Sequence, residues 1–280
     1  MNIKKVVRCI KQFRPGYKTA IGFLAIAAGC APAPGPQPAA PKGSVEASRA
    51  PGSLNIDGEV ARLQAALNRE VPNLIMDTPE TERGWIVRTQ AAIAGSDLNI
   101  SRPELLVVVD RNPDVQQLRL ILAGTDAPWY SLGGTKVSTG QTGRPNYYVT
   151  PIGVFLHTDA ILDWRAEGTY NDQHIRGLGV KGMRVWDFGW QPATKGWGAG
   201  GAGDIRLLVH ATDPDYLERR IGRPASKGCV RIPAAMNRFL DRHGILDADY
   251  ERAAKNDPRF AALLLPDRTP SRHRSPAMRS

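Results

Sequence analysis

Five consecutive aliphatic residues, Leu105-Leu106-Val107-Val108-Val109, run straight into Asp110-Arg111-Asn112-Pro113-Asp114. A short Val- and Leu-rich run closed by Asp, Asn and Pro is a strand ended by a turn. Val115 to Leu122 reads as the returning strand, so the middle of the chain is committed to an antiparallel hairpin. Further strand candidates are Lys136–Thr139, Ile152–His157, Val180–Phe188 and Ile205–His210. All are short, and Gly and Pro punctuate the stretches between them. That rhythm predicts a mainly β chain, a β-rich α+β fold built as an antiparallel sandwich or partly closed barrel with a few peripheral helices.

Helical spacing is confined to the flanks. Val60, Leu63, Leu67 and Val71 recur every three or four residues and predict a helix over 55–70. A second is expected over Ile86–Ala94. Together they suggest a helical appendage, residues 54–103, ahead of a main domain at 104–245. Pro233, the apolar set Met236, Phe239 and Leu240, and Gly244 predict one more helix. A helical extension over 246–267 and a basic tail, residues 268–280, complete the chain.

The N-terminus reads as an address. Residues 1–18 carry six basic residues and no acid, and an apolar stretch runs from Ala20 to Gly29. A bilayer-spanning helix needs about 20 apolar residues, so this stretch fits a secretory signal over residues 1–29 better than a span. Ala27-Ala28-Gly29-Cys30 resembles the box that precedes a lipidated cysteine, so Cys30 is expected to carry lipid and anchor the protein to a membrane. Cleavage without lipidation and an uncleaved anchor are the alternatives. Residues 30–53 are dominated by Pro, Ala and Gly and read as an extended tether. The expected location is the cell envelope or periplasm. The formal net charge is +10, but the leader holds six of those charges and the tail has four arginines without an acid. The part between is near neutral, which argues against nucleic acid as a partner.

Of three cysteines, Cys9 lies in the leader and Cys30 at the lipid position, which leaves Cys229 as the free thiol. An exported protein has little reason to keep one unpaired thiol for packing. Cys229 sits in Ser226-Lys227-Gly228-Cys229-Val230-Arg231, nineteen residues after His210. A Cys with a His in reach is the minimum set for a thiolate nucleophile. The plainer reading of an isolated Cys is a small buried hydrophobe. Its surroundings argue otherwise: Gly228 permits a tight turn, Lys227 and Arg231 favour the thiolate, and the helix expected just beyond would add its N-terminal dipole. Gly196-Trp197-Gly198-Ala199-Gly200-Gly201 has the spacing of a dinucleotide loop, but a strand follows where that loop needs a helix. It reads instead as a flexible loop, whose place just before the His210 strand would also let it serve as a flap over the site, with Trp190 and Trp197 as contact residues. His157, His174, His210 and His243 show no ligand spacing, and HExxH and CxxC are missing, so neither a metal nor a cofactor is expected.

Four separated stretches now fall into one order: Lys136-Val137-Ser138-Thr139-Gly140, Thr150-Pro151-Ile152-Gly153-Val154-Phe155, His210-Ala211-Thr212 and Ser226-Lys227-Gly228-Cys229-Val230-Arg231. Over residues 104–245 the chain resembles the L,D-transpeptidase (YkuD-like) catalytic domain. The family pattern usually has His-Gly-Thr and Ser-His-Gly-Cys; this chain has Ala211 and Lys227 at the changed positions. The resemblance implies that Cys229 attacks the third-residue carbonyl of a peptidoglycan stem tetrapeptide, with His210 as base. D-Alanine leaves, and an amine acceptor, or water, resolves the thioester. Backbone N–H groups at Gly228 and Cys229 are the expected oxyanion donors, Arg231 the partner of a substrate carboxylate, and Ser226 and Thr212 supports of the site. Lys227, a fixed cation beside the nucleophile, is expected to influence the acceptor step. An L,D-carboxypeptidase, a cysteine peptidase of envelope proteins and a non-enzymatic peptidoglycan-binding lipoprotein are the competing readings.

Overall fold

A computed structural model describes the backbone of residues 5–10 and the whole of residues 56–270. The tether with Cys30 and residues 271–280 lie outside the described residues. In chain order the elements are β1 (Lys5–Ile10), α1 (Ile56–Glu70), α2 (Pro79–Ala94), β2 (Glu104–Asp110), β3 (Gln117–Ala123), β4 (Tyr130–Lys136), β5 (Tyr148–Val149), β6 (Gly153–His157), β7 (Trp164–Arg165), β8 (Arg184–Lys195), β9 (Ala202–Ala211), β10 (Val230–Ile232), α3 (Ala234–Arg242), α4 (Ala248–Ala253) and α5 (Pro258–Leu263).

Two open sheets carry the fold, in the orders β4-β3-β2-β1-β6 and β10-β9-β8-β5, with β7 also on β8. Among the described residues neither closes into a barrel. The expected hairpin is β2–β3, with Glu104 opposite Ala123 through to Asp110 opposite Gln117. The β-rich α+β class holds at the coarse level, with strand content slightly ahead of helix. The antiparallel arrangement is corrected, because both sheets are mixed: β1 runs parallel to β2 and β10 parallel to β9. A parallel neighbour needs a long crossover, and the stretch from Thr212 to Cys229 supplies one.

Leu105, Val107 and Val109 of β2 and Leu118, Leu120 and Leu122 of β3 point into the main core. There they join Trp186, Phe188, Leu207 and Val209 of β8 and β9. The residues between them, Leu106, Val108 and Ile121, face Trp85 and Ile93 of α2. Both faces of β2 are therefore covered, which is why its sequence is an unbroken apolar run instead of an alternating one. Helix α1 is not an appendage: Val60, Leu63 and Leu67 are part of the main core. Each such Leu contributes roughly 1.5–3 kcal/mol by leaving water.

The C-terminal helices form a small cluster of their own, Tyr250, Phe260 and Leu263. A buried polar network pins them down. The Arg184 guanidinium donates to Asp163 from Nε at 3.0 Å and to the Leu263 carbonyl from Nη1 at 2.7 Å, and Nη2 lies 3.3 Å from Asp247. His157 donates from Nδ1 to the Leu246 carbonyl at 2.8 Å and from Nε2 to Asp163 at 2.9 Å. Burial would lower the His157 pKa, but Asp163 outweighs it and holds the ring above its ordinary value. Burial would likewise raise Asp163, yet His157 and Arg184 hold it low.

Strand β1 falls inside the segment read as a leader. Its backbone lies between β2 and β6, with Val7 opposite Val107 and Lys5 opposite His157.

Candidate active site

β9 turns Leu207 and Val209 into the core, so Arg206, Leu208 and His210 face the other way. β10 pairs with it so that Val230 is opposite Val209 and Arg231 opposite His210. Arg231, and Cys229 two residues before it, therefore share the outer face with His210. β8 adds Asp187 opposite Leu208, and β7 adds Trp164 opposite Val185. On its far side β10 is held by Ser138, through Ser138 N–H to Arg231 O at 2.9 Å and Arg231 N–H to Ser138 O at 2.8 Å. Register, not closeness in sequence, assembles the group.

The turn before the nucleophile depends on two glycines. Gly228 has φ +135°, a conformation other residues rarely adopt. At Gly140 a Cβ would stand 1.9 Å from the Tyr148 carbonyl oxygen. Two buried hydroxyls hold the turn between them. Ser226 Oγ donates to the Cys229 carbonyl at 2.6 Å and accepts from Gly228 N–H at 3.1 Å. Thr150 Oγ1 accepts from Gly140 N–H at 2.8 Å and donates to the Gly228 carbonyl at 2.7 Å. Ser226 is thereby committed to the turn. The Gly228 N–H is already engaged, which corrects its expected part as an oxyanion donor. Among the described residues the Cys229 N–H makes no hydrogen bond. The helix dipole is also removed from the thiol, because α3 starts at Ala234 and β10 intervenes.

Cys229 is half-buried: its surface is partly open, but the atoms packed around the thiol strip most of its hydration. Sγ bonds the Arg206 carbonyl at 3.8 Å. Burial pushes the thiol pKa up, and the Leu208 amide and Arg231 pull it down without prevailing. His210 is buried, and that burial, with Arg231 opposite, takes its pKa down to about 4 against the pull of the Ala211 carbonyl. A carbonyl can only accept, so Nδ1 carries the ring proton toward Ala211 and Nε2 keeps the lone pair. At neutral pH the site thus holds a thiol and a neutral imidazole. A thiolate stabilised in advance by neighbouring cations, the sequence-based expectation, is corrected.

Arg231 donates from Nη1 to the Ala225 carbonyl at 3.2 Å, and its buried Nε has no hydrogen-bond partner. Lys227 is exposed, with Nζ 6.0 Å from the Tyr147 ring centre. The charges that act on the thiol are Arg231 and Asp187, so Lys227 is not the fixed cation beside the nucleophile that the sequence suggested. Thr212 is fully buried and its Oγ1 lacks a partner, so no hydrogen bond from it orients the His210 strand. The loop at 196–201 is the tip of the β8–β9 hairpin, between two strands. Trp197 there meets Tyr148 edge-on at 5.0 Å, whereas Trp190 is 71% exposed.

Sequence reasoning missed Asp187 and Arg206. Arg206 donates to Asp187 from Nε at 2.6 Å, and its guanidinium lies 5.5 Å from the Trp164 ring centre. The signal was present, since Arg206 and His210 share the parity of one strand face. Two concavities flank β5, of about 210 and 510 Å³, and share Arg111 and Val149; Cys229 lines neither. Among the described residues no three His, Cys, Asp or Glu side chains converge as a metal site would. No family model and no curated protein matches the chain.

Proposed function

We propose that this protein is a cysteine acyltransferase of the L,D-transpeptidase kind, acting on peptidoglycan stem peptides, with a YkuD-like sandwich as its catalytic domain. The observation that carries the reading is one sheet face presenting a free thiol, a neutral histidine with Nε2 available, and an arginine without a carboxylate partner. A planar guanidinium with no carboxylate beside it suits a substrate carboxylate. In the first step Sγ turns from the Arg206 carbonyl to His210, whose Nε2 takes the thiol proton. Sγ bonds the donor carbonyl carbon, and the carbonyl π pair moves onto oxygen. Collapse of that oxyanion breaks the bond to D-alanine, whose amine leaves with the proton from His210. An amine acceptor reverses the sequence and forms a cross-link; water would release a tripeptide. The leader-like N-terminus and the lipid position at Cys30 support an envelope location for this activity.

The deciding experiment incubates tetrapeptide muropeptides with the full-length protein and with Cys229→Ala, and reads products by mass spectrometry. Loss of D-alanine and a thioester adduct on wild type, with the variant at background, are expected. Turnover by the variant would sink the assignment. Cleavage of ordinary L-peptides instead would favour a peptidase, and tripeptide without dimer a carboxypeptidase.

A further inference from the structure

Thr150 has no role in the scheme above, yet its side chain ties the nucleophile turn at Gly228 to Gly140. It is 2% exposed, and its hydroxyl makes two bonds, one accepted from Gly140 N–H and one donated to the Gly228 carbonyl. The Gly228–Cys229 peptide is trans, so its C=O and N–H point in opposite directions. Fixing the carbonyl on Thr150 therefore aims the Cys229 N–H away from Thr150 and leaves it without an internal acceptor. Ser226 ties up the neighbouring Gly228 N–H, whereas the Cys229 N–H stays free to donate.

We infer that Thr150 is a positioning residue that holds the Gly228–Cys229 peptide so that the Cys229 N–H meets the oxyanion formed when the thiol attacks a carbonyl. This rests on the acyl-transfer reading. The effect belongs to carbonyl chemistry alone. Attack on a carbonyl builds an O⁻ that needs a donor, while alkylation displaces a leaving group at saturated carbon and builds none.

The test uses the full-length protein and two probes. p-Nitrophenyl acetate acylates Sγ and releases p-nitrophenolate through a tetrahedral oxyanion. Iodoacetamide alkylates the same Sγ and releases iodide. Thr150→Val keeps the shape and loses the hydroxyl, and should slow acylation about tenfold or more while alkylation stays within about twofold; Thr150→Ser should restore acylation. Equal loss with both probes, or no loss with either, overturns the inference. If Thr150→Val does not fold, Thr150→Ser is compared with Thr150→Ala, and a Ser variant no faster than Ala overturns it equally. Failure of both to fold would make the hydroxyl a folding element and also count against it. A wild type that p-nitrophenyl acetate leaves unacylated, while iodoacetamide labels it, fails the acyl-transfer reading itself.

Discussion

A thiol kept neutral by burial reacts differently from one already paired with an imidazolium. Burial raises the Cys229 pKa and lowers that of His210, so each group favours its uncharged form. Below about pH 4 the imidazole is protonated and cannot act as base; above that it is ready, while the thiol still holds its proton. The iodoacetamide rate should therefore climb about tenfold per pH unit from about pH 6 to about pH 9 without a plateau. A plateau from mildly acidic pH would mean a standing ion pair and overturn this account. The roles of Cys229 and His210 were suggested by the sequence because reactive residue types are few. Their charge state was not, because it depends on what surrounds them, and those neighbours come from β8, β9 and β10 at once.

At the scale of elements, the sheet hairpin was readable and the docking of the helices was not. An apolar run with a turn behind it specifies β2 and β3 locally. The face of α1 says only that the helix packs, not that its partner is the main core. The C-terminal helices are a similar case, since their anchor is a set of polar residues scattered from His157 to Leu263. Asp163→Asn leaves a buried arginine and histidine short of a counter-charge and should cost about 3–5 kcal/mol in urea unfolding. The pH window follows from the two shifts. His157, raised, contributes stability below its unfolded pKa of about 6.5 and loses it as pH rises through the folded value. Asp163, lowered, contributes above about 3.9 and loses it as pH falls. The wild-type advantage should be greatest between those limits. A loss under about 1 kcal/mol there would show that the network is dispensable.

At the scale of the whole molecule, one N-terminal segment carries two patterns at once. Residues 1–29 have the composition of a leader, and Lys5–Ile10 within them is a strand between β2 and β6. A basic and apolar segment satisfies both patterns, which is why composition alone does not separate them. Since β1 is parallel to β2 and antiparallel to β6, the two outer strands are antiparallel to each other and can pair directly if β1 leaves. A chain starting at Cys30 should therefore melt cooperatively, at a lower temperature than the full chain. A truncated chain without a cooperative transition would make β1 structural and end the leader reading.

The two glycines and two hydroxyls around the nucleophile turn also shape how such a chain can diverge. Lys227 faces outward and Trp190 is exposed, so packing constrains neither position. Gly140 has a carbonyl oxygen where a methyl would go, and Gly228 has a backbone that other residues resist. Change is thus open on the outer side of the turn and closed on its inner side. A lineage could rewrite most of this sequence, lose every trace of common ancestry along its length, and still keep the few short words that spell the site.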